Sequence, residues 1–316
     1  MGTKILITGA AGCIGKQLVQ KLISSTDYEI HATDIKPNPF TNNDRFNYQT
    51  IDIRTDDFID WVRIIKPAIV VHLASVLQLS KHITREEAYK IDVVATERLV
   101  EALTETGAQK FIITTSGASY GYYPENKDII TEERAPRGNP EYFYSAHKAE
   151  VESILEKYRG THPNLKQLVF RPGAILGPDF EGPVVKLFQQ RLMVGLMGYE
   201  GPFNFIWSED VVDYLIEGIT TEVTGTFNIA GDKVLSMKAI ANMLSKPYLA
   251  LPDWLIKVIL GIAKPLGLTE YGPEQTRFIK YRPVLSNSKI KKQFQHQPRY
   301  DSEQVIEEFM KTSTHD

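Results

Sequence analysis

The chain of 316 residues is long for one compact core, so we expect two domains, or one large α/β domain with a smaller lobe. Its 42% hydrophobic and 24% charged residues exclude an intrinsically disordered protein, and a net charge of −3 argues against nucleic acid or anionic lipid as a partner. The single cysteine, Cys13, excludes an internal disulfide and a cysteine-based metal cluster. It favours a reducing location such as the cytoplasm.

The first half of the chain alternates between strand and helix patterns. Short apolar runs predict strands over 4–8, 28–34, 68–74 and 110–116, with a further strand over 165–170. Helical periodicity follows the first strand and returns over 84–106, where Thr84 and Glu87 are spaced as a helix cap. Strand, helix and strand in repetition predict a parallel sheet with right-handed crossovers.

The pattern changes after about residue 172, where glycine and proline become frequent. We therefore expect a first domain over 1–172 and a smaller, mainly substrate-binding lobe over 173–316, from which segments such as 225–231 can return to the sheet. The apolar stretch 253–268 predicts a buried or lid-like helix, and a surface facing a partner or a membrane is the alternative. Its longest uncharged run, 258–263, is far too short for a membrane span, and residues 1–10 lack the features of a signal peptide.

Three glycines follow the first predicted strand in the stretch ITGAAGCIG. Gly9 can turn sharply, Gly12 lets a pyrophosphate approach the backbone, and Gly15 lets helix and strand pack closely. The helix that starts at Cys13 and Ile14 offers free N–H groups and the positive end of its dipole to phosphates. The spacing GxxGxxG therefore predicts a dinucleotide site, and a tight turn without a ligand is the alternative.

Asp34 ends the second predicted strand, nineteen positions past Gly15. A carboxylate there accepts hydrogen bonds from the ribose hydroxyls of NAD and repels the 2′-phosphate of NADP. Lys36 is close and basic, which leaves NADP as the less favoured cofactor. The alternative is that Asp34 is a turn residue at a strand end.

The stretch YSAHK places Tyr144 and Lys148 four residues apart, so on a helix they share one face. A phenol beside an ammonium is a candidate acid/base unit, and an ordinary helix surface is the alternative. Tyr142 competes for the same role, but it lies six residues from Lys148, and helical geometry directs it elsewhere. With scattered histidines and one cysteine, the sequence predicts no metal site.

Further motifs accompany these in a fixed order: DI at 52–53, HLAS at 72–75, SGASYG at 116–121 and RPGAILGP at 171–178. Taken together, the chain resembles the extended short-chain dehydrogenase/reductases and, more narrowly, the NAD-dependent epimerase/dehydratase family. The resemblance runs nearly from end to end. It implies a Rossmann-type doubly wound sheet, bound NAD, a small-molecule substrate, and a homodimer formed through the helix near 84–106 and the helix that carries Tyr144.

The resemblance also implies roles for individual residues. Tyr144 is similar to the catalytic tyrosine, Lys148 to the lysine beneath it, and Ser116 to the hydroxyl that binds the reacting oxygen. It also implies cofactor positions besides Tyr144 and Lys148. These are Gly9, Gly12, Cys13, Ile14, Gly15 and Asp34; Asp52 and Ile53 at the adenine; Leu73, Ala74 and Ser75 along the cofactor; and Pro172 and Gly173 near the nicotinamide.

Elementary chemistry agrees with the catalytic roles. A free tyrosine has a pKa of about 10 and is too protonated at neutral pH to act as a base. The Lys148 ammonium and a positively charged nicotinamide would favour the phenolate of Tyr144 and lower its pKa. Lys148 can also hydrogen-bond the ribose, and the Ser116 hydroxyl, at the carboxyl edge of the sheet, can stabilise a developing alkoxide.

Three positions depart from the family pattern. Asp92 stands where the family often has asparagine, and an ionised carboxylate can only accept hydrogen bonds. Ala174 and Phe203 stand where many sugar-nucleotide epimerases have an asparagine and a phosphate-binding arginine. Phe203 and Trp207 could form an apolar wall for the substrate, or they could be core residues of the second lobe. Asp210 matches a family aspartate and is interpreted as structural.

Three functions remain open at this point. The first is an NAD-dependent epimerase or dehydratase that oxidises a secondary alcohol of a sugar nucleotide and later returns the hydride. The second is a dehydrogenase or reductase for an apolar carbonyl, similar to hydroxysteroid dehydrogenases or dihydroflavonol reductases. The third is an NAD-binding protein without catalysis, which the complete set of Ser116, Tyr144 and Lys148 argues against.

Overall fold

The computed structural model describes residues 2–41, 44–80, 82–178, 180–269 and 272–313. Its strands are β1 Lys4–Thr8, β2 Glu29–Asp34, β3 Phe46–Thr50, β4 Ile69–His72, β5 Lys110–Thr114, β6 Lys166–Pro172, β7 Ala174–Leu176, β8 Met193–Leu196, β9 Phe205–Trp207, β10 Gly225–Ile229 and β11 Tyr248–Leu251. Its helices are α1 Cys13–Ser25, α2 Asp56–Ile65, α3 Arg85–Tyr89, α4 Ala95–Thr106, α5 Phe143–Thr161, α6 Pro183–Gln189, α7 Ser208–Thr220, α8 Met237–Met243, α9 Asp253–Ala263, α10 Gln275–Lys280, α11 Ser288–Gln293 and α12 Ser302–Ser313. A π-helical segment, Lys90–Val94, joins α3 to α4, and a 3-10 turn, Gly117–Tyr120, follows β5.

A seven-stranded sheet forms the centre of the molecule, in the order β10-β6-β5-β4-β1-β2-β3. Every pair of neighbours is parallel. The chain builds outward from β1 in one direction through β2 and β3, and in the other through β4, β5 and β6, so the strand order reverses between β1 and β4. Ligands of open α/β sheets bind at such a point. The predicted doubly wound parallel sheet is confirmed.

Helices cover both faces of the sheet. On one face α1 and α7 pack over a core that includes Ile5, Ile7 and Leu215. On the other face α2, α4 and α5 pack over a core that includes Leu6, Phe58 and Leu99. Successive residues of β1 thus point to opposite faces, and both faces are apolar because both are buried.

Strands β7, β8, β9 and β11 form two small sheets outside the main one. They share a separate core with α6, α8 and α12, in which Phe188, Phe205 and Ile306 are buried. Strand β10 comes after β9 and before α8 in the sequence, and it lies at the edge of the large sheet, beside β6. The boundary at 172 stays a prediction about domains, since β10 joins the two parts of the chain.

The predicted helix over 84–106 contains three consecutive pieces. The hydroxyl of Thr84 accepts a hydrogen bond of 3.2 Å from the N–H of Glu87, so the predicted cap is present. The helix widens to π geometry over Lys90–Val94 before α4 continues to Thr106. A π segment inside a helix often marks a functional position, and the helical pattern of the sequence does not reveal it.

The expectation of a buried or lid-like helix over 253–268 is wrong as regards burial. Helix α9 is present, but Ile256 is its one buried residue. Trp254 is 66% exposed and Leu268 is 76% exposed, and Val258, Ile259, Ile262 and Leu266 are exposed as well. Among the helices described here, none is both long and apolar enough to cross a bilayer.

Candidate active site

The glycine turn lies where the sequence pattern placed it, between β1 and α1. Gly9 has φ of +69°, and a Cβ there would lie 2.6 Å from the amide nitrogen of Ala74 and 2.7 Å from the carbonyl carbon of Leu73. A Cβ on Gly15 would lie 2.2 Å from the carbonyl oxygen of Gly9. Both positions therefore require glycine, one for its backbone conformation and one for the close approach of helix and turn.

Helix α1 begins at this turn with its N-terminus open. Gly12 is the cap residue, no side chain caps the helix, and its first turn contains no acidic residue. The positive end of the dipole at Cys13 and Ile14 is thus not neutralised by the chain. Asp34 completes this part of the site, because its Oδ2 accepts a hydrogen bond of 3.0 Å from the N–H of Ala11. These features fit the pyrophosphate and ribose of a dinucleotide.

The loop after β4 lies against the same turn. The N–H of Leu73 donates to the carbonyl of Thr8 at 3.1 Å, and the N–H of Ala74 donates to the Thr8 hydroxyl at 3.4 Å. Ser75 turns away and donates to Asp92 at 2.9 Å. The predicted cofactor residues that follow β1, β2 and β4 are therefore brought to one edge of the sheet.

The predicted adenine pair, Asp52 and Ile53, follows β3. The Asp52 carboxylate accepts hydrogen bonds of 3.0 Å from Nε of Arg54 to both of its oxygens, and the hydrogen bond and the charge of Arg54 lower the pKa of Asp52. Ile53 is buried. Arg54 also pairs with Glu87 at the start of α3. The Asp52 carboxylate is thus fixed in an ion pair, and its contact with adenine stays a prediction.

Helix α5 brings the three predicted catalytic residues together. Tyr144 and Lys148 share one face, with the Lys148 ammonium 5.6 Å from the centroid of the Tyr144 ring. Lys148 is buried, and its Nζ donates to the carbonyl of Thr114 at 3.4 Å. Ser116 follows β5, its hydroxyl accepts from the N–H of Ala118 at 3.1 Å, and its interaction with Tyr144 lowers the pKa of that phenol. Ser116 and Tyr144 therefore lie close together at the carboxyl edge of the sheet.

The surroundings set the protonation of this group. Burial raises the pKa of Tyr144, a hydrogen bond with Ser116 lowers it, and the charge of Asp92 raises it further. Burial lowers the pKa of Lys148, whereas the charges of Asp92 and Glu152 raise it. Without a cofactor, the site thus stabilises a neutral phenol. A cation close to the ring would be needed to bring the pKa of Tyr144 towards neutrality.

A buried ion pair connects α5 to strand β6 of the sheet. Nε of Arg171, on β6, donates to both carboxylate oxygens of Glu152 at 3.0 and 2.9 Å. Thr115 donates to the same carboxylate at 2.8 Å, and an Nη of Arg171 donates to the Tyr120 hydroxyl at 2.7 Å. Glu152 lies one helical turn after Lys148 and Thr115 directly precedes Ser116, so the network fixes the orientation of α5 on the sheet.

The segment after β6 connects the two parts of the chain. Gly173 N–H donates to Ile229 carbonyl at 2.9 Å, and Ala174 N–H donates to Asn204 carbonyl at 3.2 Å. A Cβ on Gly173 would lie 2.9 Å from that Asn204 oxygen, which explains the glycine after Pro172. Ala174 begins β7 beside Phe205 and remains partly accessible.

The predicted substrate residues Phe203 and Trp207 lie in the core of the second lobe. Phe203 is 1% exposed and stacks on Phe205 with ring centroids 5.4 Å apart, and Trp207 is 4% exposed and contacts Tyr300. Their burial agrees with the alternative that they are core residues. A contact of either ring with a substrate stays a prediction.

Arg282 is a site residue that the sequence reading missed. Its guanidinium carbon lies 3.9 Å from the centroid of the Phe203 ring. The buried Nε has no hydrogen-bond partner among the described residues. Burial raises the pKa of Tyr122, and the charge of Arg282 opposes this effect. Tyr122 belongs to an aromatic cluster against which Tyr144 packs, so Arg282 lies near the predicted catalytic tyrosine. An isolated arginine 79 positions beyond Phe203 has no local pattern that would have indicated it.

One group of acidic and histidine side chains outside the site has the spacing of metal ligands. Single ligand atoms of Asp210, Asp213 and His296 lie within 4.8 Å of one another. However, Arg299 forms ion pairs with both carboxylates, at 2.7 Å with Asp210, and Lys21 binds Asp213. These cations already balance the carboxylates, which agrees with a structural role of Asp210, and that role stays a prediction.

Known proteins with a similar sequence or fold support this description. A UDP-glucose 4-epimerase of Mycolicibacterium smegmatis is 28% identical over 233 residues, which is 67% of this chain and 72% of that protein. The crystal structure of a UDP-glucose 4-epimerase of Thermotoga maritima with UDP-glucose has a TM-score of 0.75 at 20% identity and covers 98% of this chain and 99% of that one. The Bordetella bronchiseptica enzyme WbmG in complex with NAD also has a TM-score of 0.75, at 16% identity, with 100% and 95% covered.

The match to a family model covers most of the chain. Residues 5–230 match the model of the NAD dependent epimerase/dehydratase family. This stretch contains the glycine turn, Asp34 and the Ser116, Tyr144 and Lys148 set. It confirms the expectation of an NAD-dependent enzyme of the extended short-chain dehydrogenase/reductase type. The chain belongs to the NAD dependent epimerase/dehydratase family.

Proposed function

We propose that this enzyme epimerises or dehydrates a sugar nucleotide, with NAD retained between the two half-reactions. The observation that carries the proposal is the position of Arg282. Its guanidinium has a buried Nε without a hydrogen-bond partner in the described chain, and it lies near the aromatic cluster next to Tyr144. A planar cation with free donors is the side chain best suited to a diphosphate.

The cofactor would be held by the residues already described. The open start of α1 would bind the pyrophosphate, the Asp34 carboxylate would accept from the ribose hydroxyls, and Lys148 would bind the nicotinamide ribose. Bound NAD supplies an acceptor for the hydride of the substrate alcohol and a donor for its return. The absence of a basic partner on Asp34 in the described contacts favours NAD over NADP.

The chain itself would manage the proton and the developing charge. Tyr144 takes the hydroxyl proton of the substrate while the C–H bond at the same substrate carbon breaks, and Tyr144 returns the proton in the reverse step. Ser116 donates a hydrogen bond to the same oxygen and stabilises the charge on it. The Lys148 ammonium would lower the pKa of the Tyr144 phenol. Burial lowers the pKa of Lys148, and the charges of Asp92 and Glu152 oppose this effect and so favour the ammonium.

The proposal includes a homodimer and a cytoplasmic location. The outer surface of α3 to α5 is the expected interface, and two large side chains there, Tyr89 and Val94, are 36% and 39% exposed. A single cysteine suits a reducing compartment. Sedimentation at several protein concentrations would test the dimer, and Val94→Glu should shift the equilibrium to the monomer if this face forms the interface.

A second candidate is a dehydrogenase or reductase for an apolar carbonyl. It is favoured by the aromatic side chains around the catalytic tyrosine, where Phe278 packs on Tyr142 at 4.6 Å and on Tyr122 at 4.8 Å. Such a wall suits an apolar ring as well as a sugar. This enzyme would release its cofactor in each cycle, whereas the epimerase would not.

Substrate conversion and the absorbance of reduced nicotinamide separate these functions. With UDP-glucose as the probe, we expect conversion of the sugar without net accumulation of NADH. Net NADH formation with an apolar secondary alcohol, and no conversion of any sugar nucleotide, would instead establish the second candidate. No reaction with either class would contradict catalysis.

Arg282→Gln tests the phosphate contact directly. Charged hydrogen bonds of this kind contribute about 1.5–3 kcal/mol, so KM for the sugar nucleotide should rise roughly 10- to 150-fold while kcat changes little. Arg191→Gln is the matched control, because Arg191 is exposed on the second lobe and should leave both constants unchanged. An unchanged KM in Arg282→Gln would remove Arg282 from the substrate site.

A further inference from the structure

Asp92 lies at the centre of a buried polar cluster and takes no direct part in the proton transfer of the proposed reaction. It is 3% exposed and lies in the π segment between α3 and α4. Its Oδ1 accepts hydrogen bonds of 2.9 Å from the Ser75 hydroxyl and from the N–H of Val76. Its Oδ2 is 3.0 Å from Nδ1 of His147. One carboxylate thus connects the cofactor loop after β4, the π segment and the catalytic helix α5.

The geometry indicates which atoms carry the protons. A backbone N–H and a serine hydroxyl donate to Oδ1, and an ionised carboxylate can only accept, so Nδ1 of His147 must donate to Oδ2. His147 is buried, with its ring edge-to-face against Tyr89 and Phe143, each with centroids 5.4 Å apart. This packing holds the imidazole in one orientation, with Nδ1 towards Asp92.

A second histidine next to the cluster stays neutral. Burial lowers the pKa of His72 to about 3, helped by the charge of Lys148 and opposed by that of Asp92. The Thr96 hydroxyl donates to the carbonyl of Asp92 at 2.6 Å, so it must accept from Nε2 of His72 at 3.0 Å. His72 therefore contributes no charge that could balance Asp92 at neutral pH.

The catalytic groups face the same carboxylate from α5. Charge from Asp92 raises the pKa of Lys148 and also raises the pKa of Tyr144. The titratable and charged groups around the pair are Arg85, Glu86 and Tyr89 on α3, His72 on β4, and Tyr144, Lys148, Glu150 and Glu152 on α5. Of the carboxylates, Glu152 pairs with Arg171, Glu86 pairs with Lys90, and Glu150 accepts from the Tyr89 hydroxyl. Asp92 is the carboxylate whose charge raises the pKa of both Tyr144 and Lys148.

We propose that Asp92 and His147 form a positioning pair that fixes α5 against the cofactor loop and holds a negative charge next to the helix that carries Tyr144 and Lys148. This charge should in turn influence the pH at which Tyr144 ionises. The proposal rests on the acid/base role of Tyr144 in the proposed function, but not on the identity of the substrate. His147 is adjacent to Lys148 in the sequence, so one member of the pair lies on α5 and the other in the π segment.

Asp92→Asn separates the charge of the pair from its geometry. The asparagine oxygen can still accept from Ser75 and Val76, and its amide can donate to Nδ1 of His147 once that ring adopts the other neutral tautomer. The hydrogen bonds are thus retained and the negative charge is lost. A structural link alone predicts no change in the ionisation of Tyr144, whereas the proposed charge predicts a shift to lower pH.

The experiment follows the ultraviolet absorbance of tyrosinate during a pH titration of NAD-saturated protein. Subtracting the titration of Tyr144→Phe isolates Tyr144, and no substrate is needed, so failure of the sugar-nucleotide proposal would not affect the result. We expect the Tyr144 midpoint of Asp92→Asn to lie about half to one pH unit below that of the wild type. An unchanged or higher midpoint would overturn the proposal.

His147→Asn is the matched variant, since its amide N–H can replace the Nδ1 donor while Asp92 keeps its charge. The midpoint of Tyr144 ionisation in this variant should match that of the wild type. A fall as large as that of Asp92→Asn would attribute the effect to disturbed packing and contradict the proposal.

Nitrogen NMR of the histidine rings tests the pair in the unmodified protein, and His147→Asn identifies which signal belongs to His147. A protonated Nδ1 on His147 is expected, and an unprotonated one would overturn the pair.

Discussion

Replacing Gly15 by alanine tests how closely α1 must approach the turn before it. A Cβ at Gly15 would lie 2.2 Å from the carbonyl oxygen of Gly9 and 2.8 Å from Cα of Ala10. Both are backbone atoms, so no side-chain rotation relieves the overlap, and α1 must move away from β1. Gly160 is the matched control, because it also lies in a helix and a Cβ there meets nothing within 4 Å.

The expected magnitude follows from these contacts. Overpacking destabilises a protein by about 1–3 kcal/mol. Because both contacts at Gly15 are with rigid backbone atoms, we expect Gly15→Ala to lower the free energy of unfolding by about 3 kcal/mol. Unfolding entropy of about 2.1 cal/mol/K per residue gives about 0.66 kcal/mol/K for 316 residues, so Tm should fall by about 4–5 °C. Gly160→Ala should instead gain about 0.5–1 kcal/mol, which raises Tm by about 1 °C.

Thermal unfolding with and without NAD measures both effects of the change. At NAD concentrations about 100 times Kd the wild type should gain about 2.7 kcal/mol, or about 4 °C. Gly15→Ala should lose most of this gain, because its displaced α1 no longer presents its N-terminus to the pyrophosphate, while Gly160→Ala should keep it. A Gly15→Ala protein with the wild-type Tm and the wild-type response to NAD would refute the reasoning.

Three further changes test other parts of the site. Tyr144→Phe should reduce turnover by roughly 10²- to 10⁴-fold with nearly unchanged NAD affinity, as measured by titration calorimetry, and an unchanged rate would exclude Tyr144 from proton transfer. Glu152→Gln should cost about 3–5 kcal/mol in urea unfolding, because Arg171 is left buried without its counter-charge, and a loss below about 1 kcal/mol would show that the pair is dispensable. The pKa of His72 is about 3 in the folded protein and about 6.5 in the unfolded chain. Its contribution to stability is therefore complete above pH 6.5 and falls by about 1.4 kcal/mol per pH unit down to pH 3. In His72→Gln the plot of urea-unfolding free energy against pH should lose this part of its slope, and an identical slope would contradict a neutral, buried His72.

The sequence predicted the centre of the fold because its signals are local. Strand β1, the three glycines and Asp34 lie within 31 residues, and each has a direct physical reason for its type. Strand β3 was not predicted, since Phe46–Thr50 alternates aromatic and polar side chains at a partly exposed edge and lacks an apolar run. Its place in the sheet depends on β2, which no short window of sequence contains.

The proximity of the predicted catalytic residues could be read from the sequence, and the charged groups around them could not. Tyr144 and Lys148 are one helical turn apart, so their spacing alone indicates a shared face. The position of Asp92 against both depends on a π segment, and the position of Arg282 depends on a loop from the far end of the chain. The apolar composition of α9 indicated burial, but Trp254, Val258 and Ile259 are exposed in the part of the chain that the structure describes. Apolar composition alone does not specify what a helix packs against.

The edge strand β10 has a consequence for how the protein is made. It supplies Phe227 and Ile229 to the core under α7, and its backbone pairs with Leu168 to Pro172. A nascent chain that has left the ribosome only as far as residue 172 therefore exposes the unpaired amides and carbonyls of β6 beside an apolar gap. Folding of the nucleotide-binding half cannot finish until translation has passed Ile229, and until then this open edge is where a chaperone would have to act.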